Sequence, residues 1–250
     1  MKISVITVSF NSASTIEETI KSVISQKNKK NIEYIIIDGG STDKTKEIIN
    51  NYKSDIDIFL SEKDKGIFDA INKGIKYSTG DIISILHSDD IFFNNQIIDC
   101  VVKYFNEDDK LSCLIGNTLI LKKNSNKILR KYSSKFFRKW MLRFGYSPPH
   151  PSTFIKKNIY DKFGHYNINN KIAGDFEFYL KIFLKYSVNY KAIDQDLVIM
   201  KSGGASSNSF KSNLISTIEI NNSLKKYKLS SNVLFVVLRF PLKLFQYFIK

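Results

Sequence analysis

Short apolar runs and amphipathic stretches alternate along the first 105 residues of the chain. Residues 3–8 form a β-branched apolar run, the pattern of a strand buried on both faces. A polar turn at 11–14 follows. Ser14 and Glu17 stand at capping-box spacing, ahead of Ile16, Ile20, Val23 and Ile24 at helical period. Residues 34–37 predict a second strand ending at Asp38, and GGSTD is the turn after it. Ser41 or Thr42 is the expected cap of a helix reaching Asn51. Residues 57–60 predict a short third strand, 68–77 a helix, 82–86 a fourth strand and 97–105 the next helix. Further on, IAGDFEFYLKIF predicts a helix with Phe176, Tyr179, Leu180 and Phe183 on its apolar side.

Strands alternating with helices of this length imply right-handed crossovers. The expected class is α/β: a mostly parallel central sheet with helices on both faces. Ligands in such sheets bind beyond the carboxyl ends of the strands. Phe10, Asn11, Asp38 and the stretch from His87 to Asp90 all lie just past predicted strand ends, so they converge on one rim. There the apolar run ISILHSDD ends in two adjacent carboxylates. Such a pair serves a helix cap or an Asx-turn as readily as a ligand. It also repels itself, which raises a pKa unless a cation or hydrogen-bond donors compensate. Aspartate oxygens, with those of a diphosphate, are ordinary ligands for Mg or Mn. An aromatic, an aspartate and an aspartate pair on one rim suit a base, a ribose and a metal-bridged diphosphate.

Composition adds a partner and removes some classes. The chain has 250 residues and a formal charge of +14, which points to a polyanionic partner: nucleic acid, an anionic membrane surface or phosphorylated substrates. Cys100 and Cys113 stand in apolar stretches without metal spacing, as reduced core thiols of a cytosolic chain. MKISVITVSF is too short and too β-branched for a signal peptide, and no internal repeat occurs. No acidic residue occurs between Lys110 and Tyr160, where KKNSNKILRKYSSKFFRKW is dense in Lys, Arg and aromatics, and none occurs past Glu219. The final NVLFVVLRFPLKLFQYFIK is too short and too charged to span a bilayer, and Pro241 interrupts it. It suits a helix lying in a membrane surface, with Lys225, Lys226, Lys228, Arg239 and Lys243 near anionic headgroups. A helix closing the core, or a dimer face, is the alternative.

VITVSFN, YIIIDGGSTDKT and SEKDKGIFDAINKGIKYSTGDIISILHSDD together resemble the N-terminal half of family-2 glycosyltransferases of the GT-A fold, in the bacterial surface-polysaccharide manner. The likeness is close over residues 3–90 and looser to about 200. It implies a GT-A domain over 1–220, with a nucleotide-sugar-binding half at 1–110 and an acceptor-binding half at 111–220. A basic amphipathic helical tail, membrane-associating, occupies 221–250. By the resemblance, Phe10 packs on the donor base with Val8 and Ser9 flanking it, and Asp38 bonds the base edge. Lys65 approaches the donor phosphates, although a solvated lysine fits that position equally. Asp89 is expected near ribose and donor sugar, and Asp90 as the ligand of a divalent metal, Mn or Mg. His87 stands where many members carry Asp, which leaves fewer protein oxygens for that metal. Asp69 and Asn72 belong to the same motif, and capping and packing account for them equally. Asp175 aligns with the family's general base, with Glu177 as runner-up. From the residues alone, Asp175 beside Gly174 is an ordinary helix N-cap. His150, within SPPHPSTF, is expected near acceptor or metal, or else as a structural histidine. The loop at 200–208, MKSGGASSN, is expected to close over the donor.

The activity so implied is that of an inverting, metal-dependent hexosyl- or N-acetylhexosaminyl-transferase. It moves one sugar from a nucleotide-sugar, UDP by default, to a lipid-diphosphate-linked or polysaccharide acceptor. The setting is bacterial surface glycan synthesis (O-antigen, capsule or exopolysaccharide) at the cytoplasmic face of the cell membrane. Two other classes compete. A nucleotidyltransferase wants a Gly-rich, lysine-bearing loop after the first strand, and VSFNSAST offers none. A non-catalytic nucleotide- or nucleic-acid-binding protein suits the charge. Yet Asp38, Asp89 and Asp90 on the rim repel a bare polyanion, so no nucleic-acid partner is expected. Oligomeric state is left open.

Overall fold

The computed structural model describes residues 1–122, 125, 127–201, 210–229, 233–237 and 239. The first half follows the periodicity. Strand β1 is Ile3–Ser9, helix α1 Ile16–Ile24, β2 Ile32–Asp38, α2 Thr45–Asn50, β3 Ile58–Ser61, α3 Ile67–Tyr77, β4 Ile82–Ile85, β5 Asp90–Phe92 and α4 Ile97–Glu107. The second half adds β6 Cys113–Leu121, β7 Ile128–Tyr132, β8 Thr153–Lys156, α5 Lys157–Phe163, α6 Gly174–Tyr179, β9 Tyr190–Lys201, α7 Phe210–Lys226 and α8 Val233–Val237.

Among the described residues these strands form one sheet in the order β3-β2-β1-β4-β8-β6-β9-β5, with β7 paired to β6. Strands β1 to β4 are parallel, with Ser9 opposite Asp38 and Asp38 opposite Ser61. Strand β8 runs antiparallel between β4 and β6, while β9 runs parallel to β6 and carries β5 antiparallel on its far end. The predicted parallel sheet is therefore the N-terminal half of a larger mixed sheet. Alternation along each strand feeds two cores. Ile3, Val5, Tyr34 and Ile36 pack with Ile16, Ile20 and Val23 of α1 and with Ile97 and Val101 of α4 on one face. Ile6, Val8, Ile35 and Ile37 pack with Phe68 and Ile71 of α3 and with Phe176, Leu180 and Phe183 on the other.

Two caps differ from expectation. The Ser14–Glu17 capping box does not form. Thr15 is the N-cap of α1 without a side-chain bond, and the Ser12 carbonyl accepts from the Thr15 and Ile16 amides instead. Helix α2 starts at Thr45, three residues past Thr42, because Ser41 is taken up by Asp38. The helix of IAGDFEFYLKIF forms with Phe176, Tyr179, Leu180 and Phe183 all buried, but it widens to a π-helical turn over Leu180–Lys185. Such turns often mark functional sites.

At the C-terminal side, helix α7 runs unbroken through residue 220. Its Ile220 and Leu224 are buried, as is Val236 of α8, all in the same core as α6. Gly145, at φ +73, ends a turn on which Val236 and Arg239 sit so closely that a Cβ would lie 3.1 and 3.3 Å from them. Arg239 is buried and donates to Ser216 Oγ and Thr217 Oγ1 at 2.8 and 2.9 Å, and Lys226 pairs with Glu177. Arg239 is turned to the core, whereas Lys226 reaches Glu177 from a largely exposed position. Lys243, Pro241 and the loop at 202–208 lie outside the described residues. No helix among the described residues is long and apolar enough to cross a membrane.

Candidate active site

The parallel strands bring Ser9, Asp38 and Ser61 side by side, because their register is set by backbone pairing alone. Asp38 is fully buried, and its carboxylate is saturated. Oδ1 accepts from the Ser9 and Ser41 hydroxyls. Oδ2 accepts from the Gly40 and Ser41 amides at 3.2 and 2.9 Å and from Ser61 Oγ at 2.7 Å. Burial alone would raise its pKa; the Ser41, Ser61 and Ser9 donors more than offset that and hold it below the ordinary value. Asp38 thus serves the turn. Contact with a base edge requires Ser41 or Ser61 to turn its hydroxyl away.

Val8 and Ser9 are buried, and their carbonyls accept from the Ser88 and Gly39 amides. Phe10 is the reverse: a 63% exposed ring at the edge of the same turn. Asn11, at φ +48, holds that edge by donating to Ser41 Oγ at 2.8 Å and accepting from the Thr42 amide at 2.9 Å. Beneath Phe10, Gly39 has no room for a side chain, since a Cβ would stand 2.4 Å from Asp64 Oδ2. Lys65 is exposed, and its amide donates to Asp69 Oδ2 at 3.0 Å. Asp69 therefore ties Lys65, the residue before the N-cap Gly66, back to the first turn of α3.

Asp90 is as buried as Asp38 and its opposite in environment. Neither of its carboxylate oxygens has a hydrogen-bond partner. Burial, then the neighbouring charge of Asp89, hold its pKa well above the carboxylate range. A carboxylate stripped of water and given no donor is a cradle for a cation. The chemistry of a divalent metal fits it, with Asp89 as neighbouring ligand. Among the described residues no group of three or more His, Cys, Asp or Glu stands together as a metal site.

The antiparallel arrival of β8 on β4 carries His150 to this rim. Its ring lies 5.6 Å from that of His87, and its Nε2 is 3.0 Å from Tyr166 Oη. Desolvation, with the His87 charge, pushes His150 down to about 3, so it is a neutral imidazole at physiological pH. Desolvation also lowers His87, against the charge of Asp89.

Tyr166 and Tyr179 flank His150, at 5.6 and 6.3 Å between rings, and the charge of Asp175 acts on both tyrosines. Asp175 is thus close enough for its charge to reach both rings. Its Oδ1 accepts from the Phe176 amide at 2.8 Å. The turn that carries it is fitted to α3: a Cβ on Gly174 would lie 2.7 Å from the Phe68 ring. Asn72 binds the Tyr166 backbone twice, through its amide nitrogen at 2.9 Å and its oxygen at 3.0 Å. Phe68, Asp69 and Asn72 of the GIFDAINKG stretch thus join the donor rim to the Asp175 wall.

Glu177, the runner-up for the base, is tied up in hydrogen bonds. It is buried and accepts from Asn167, Asn170 and Lys226 at 2.9, 2.6 and 2.6 Å. Burial pushes its pKa up, and those donors bring it net below the ordinary value. Sequence reasoning named the aspartates but not Tyr166, Tyr179 or Glu219. Tyrosines in an aromatic-rich chain carry no local signal. Glu219 does carry one: it is the last acidic residue in the chain.

Residues 4–174 match the family model "Glycosyl transferase family 2". An uncharacterized glycosyltransferase of Mycobacterium tuberculosis is 31% identical over 179 residues, covering 72% of this chain and 68% of the relative. Among solved structures, residues 1–349 of Staphylococcus aureus TarS in complex with UDP-GlcNAc superpose with TM-score 0.68 at 18% identity, over 90% of this chain and 66% of that one. The mannosyltransferase PcManGT of Pyrobaculum calidifontis, in complex with GDP-Man and Mn2+, superposes with TM-score 0.67 at 16% identity, over 90% and 64%. The chain thus spans about two thirds of the length of these proteins, and the two structures speak for the fold.

Proposed function

The chain belongs to glycosyl transferase family 2, and from that premise we propose that it is an inverting glycosyltransferase. Its reaction moves one sugar from a nucleotide-diphosphate sugar to a hydroxyl of a lipid-linked or polysaccharide acceptor. The observation that carries this reading is the pair of buried aspartates on one rim: one saturated at the base of a turn, one without any partner beside a second carboxylate. An exposed aromatic stands over the first, as stacking on a base requires.

Each residue then has a task. Phe10 stacks on the base, and Asp38, Ser9 and Ser41 keep the turn under it in shape. Asp89 faces ribose and donor sugar, and Asp90 with Asp89 would hold Mn or Mg. When bound, that ion supplies positive charge against the diphosphate leaving group. Asp175 accepts the proton of the attacking hydroxyl, so the acceptor oxygen can displace the diphosphate directly at the anomeric carbon. Tyr166, Tyr179 and neutral His150 form one cluster of ring contacts, which supplies polar groups without a competing charge. UDP- and GDP-sugars are the donor classes to compare, given the nucleotides bound by the two similar structures.

The acceptor side carries an aromatic and basic face. Phe136 and Trp140 are 64% and 57% exposed, and a chain of ring contacts runs from Trp140 through Phe144 to Phe235 of α8. Lys135, Arg138 and Lys139 stand beside them in a stretch without acidic residues. We infer that this face meets an anionic lipid surface, where a lipid-linked acceptor resides. Pelleting with phosphatidylglycerol vesicles that survives a Phe136→Ser, Trp140→Ser double change would refute it.

The test of the donor reading is thermal stability with UDP, GDP, dTDP and their sugars, with and without Mn. At a hundredfold excess over Kd, a bound nucleotide adds about 2.7 kcal/mol of stability. One nucleotide class is expected to stabilise, and only with metal. Equal stability with every nucleotide would sink the reading.

A further inference from the structure

The turn that carries Asp175 is held from the far end of the chain. Glu219, on α7, points both carboxylate oxygens at three successive backbone amides: Oε1 accepts from Lys171 at 2.7 Å, and Oε2 accepts from Ile172 and Ala173 at 3.0 and 2.7 Å. These are the residues leading into α6, and Asp175 is its second residue. A loop in that position normally leaves its amides to water or to a local side chain. Here a charged acceptor from another helix takes all three, and charge-assisted bonds of this kind are about twice as strong as neutral ones.

The same helix grips α6 again about two turns further on, along the same face, through Lys226 on Glu177 at 2.6 Å. Behind α7, Arg239 bonds Ser216 and Thr217; burial lowers its pKa, and the charge of Asp175 acts against that. The opposite side of the turn is closed by the Phe68 ring against Gly174. Asp175 therefore stands on a segment fixed on one side by the donor half and on the other by the last acidic residue of the chain.

We propose that Glu219 is a positioning residue for Asp175, its carboxylate acting as a three-amide clamp that sets where the base meets the acceptor hydroxyl. The proposal rests on the reading of Asp175 as base. It gives the C-terminal helices a part in catalysis that does not depend on any membrane role. Geometry at this position matters because displacing a reacting group by about 1 Å costs on the order of a hundredfold in rate.

The test compares Glu219→Ala, Glu219→Gln and Asp175→Asn, alone and combined, in the full chain. One readout is amide hydrogen exchange over 171–176. The other is Mn-dependent release of nucleoside diphosphate from UDP-N-acetylglucosamine, UDP-glucose and GDP-mannose with water as acceptor. Glu219→Ala is expected to speed exchange at 171–176 at least tenfold, with the Kd for Mn and nucleotide within twofold of wild type. Turnover is expected to fall roughly a hundredfold in kcat at constant donor KM. Glu219→Gln keeps an oxygen for two of the amides and is expected to fall between. On the Asp175→Asn background Glu219→Ala is expected to cost nothing further, because it acts through the residue already lost. A merely structural Glu219 would lower the residual rate of Asp175→Asn by the same factor, and that result overturns the proposal. So does unchanged exchange at 171–176, or turnover within twofold of wild type in Glu219→Ala. Full turnover in Asp175→Asn removes the base reading and the proposal together, whereas a dead Asp175→Asn with a normal Glu219→Ala removes the proposal alone.

Discussion

On the donor rim, Asp38 finds its donors in the next strand's register, at Ser9 and Ser61, and in its own turn at Gly40 and Ser41. On the opposite wall, the turn of Asp175 is held by Glu219, 46 to 48 residues away, and reaches the donor half through Asn72, 94 residues from Tyr166. The rim is built from what a parallel sheet supplies by itself: adjacent strand ends and short polar turns. The wall is built from side chains that meet only when the second half has folded onto the first. On the function proposed above, a site assembled in these two ways is expected to separate binding from chemistry. The rim is expected to keep a nucleotide site when the wall is disturbed, and the wall to decide whether a bound donor reacts.

Asp175→Asn gives the largest separation. Transfer is expected to fall at least roughly 10³-fold, within the span of general-base catalysis, while metal-dependent nucleotide binding stays within twofold. Titration calorimetry beside a turnover assay checks both, and lost nucleotide binding would break the division.

Asp38→Ala attacks the rim itself. It leaves three hydroxyls and two amides without their shared acceptor, and the expected loss is on the order of 3 kcal/mol. Differential scanning calorimetry is expected to show Tm lower by roughly 10 °C. A fall no larger than that of Asp175→Asn would mean the rim is not the stiffer region.

Asp90→Asn tests the second buried aspartate. It is expected to remove the Mn-dependent part of nucleotide stabilisation, about 2.7 kcal/mol at a hundredfold excess over Kd. It has a pH signature as well. The folded pKa of Asp90 lies well above its ordinary value of 3.8, so the folded state binds the extra proton. Metal-free stability then declines as pH rises above that ordinary value and toward the folded one. Tm of the wild type minus Tm of Asp90→Asn is expected to fall across that window and to recover when Mn is added. A difference that is flat with pH would show that the carboxyl is not strained without its cation.

Lys226→Ala is the smallest perturbation. Lys226 is largely exposed while Glu177 is buried, so the pair is worth about 1 kcal/mol, and the nucleotide shift is expected to be unchanged. Thermal melts with and without ligand measure both.

The donor rim was legible because its chemistry is local. Phe10, Asp38, Asp89 and Asp90 each stand one to four residues past an apolar run, and hydrophobic period alone places strand ends together in a parallel sheet. Capping was read less well. Ser41 looked like a helix cap and instead serves Asp38, because a buried carboxylate competes for the same hydroxyl. The second half was less legible. Strand β6 carries Gly116, Asn117 and Thr118 in its middle, a polar interruption that hides a buried strand. Asn117 is held there by Asp194 and Asp196 of β9, 77 and 79 residues on, which no local pattern announces.

The sequence by itself determined the alternation of strands and helices, the rim, its aspartates and the family they signal, since each depends on neighbours a few positions away. Only the tertiary structure decided that Asp38 is saturated while Asp90 is left without a donor. It alone turned Glu177 to Lys226 and Arg239 to the core, and set Glu219 on the amides before Asp175. These outcomes are contests for hydrogen bonds and burial among groups distant along the chain. Which group wins depends on which surfaces the packed sheet brings within 3 Å.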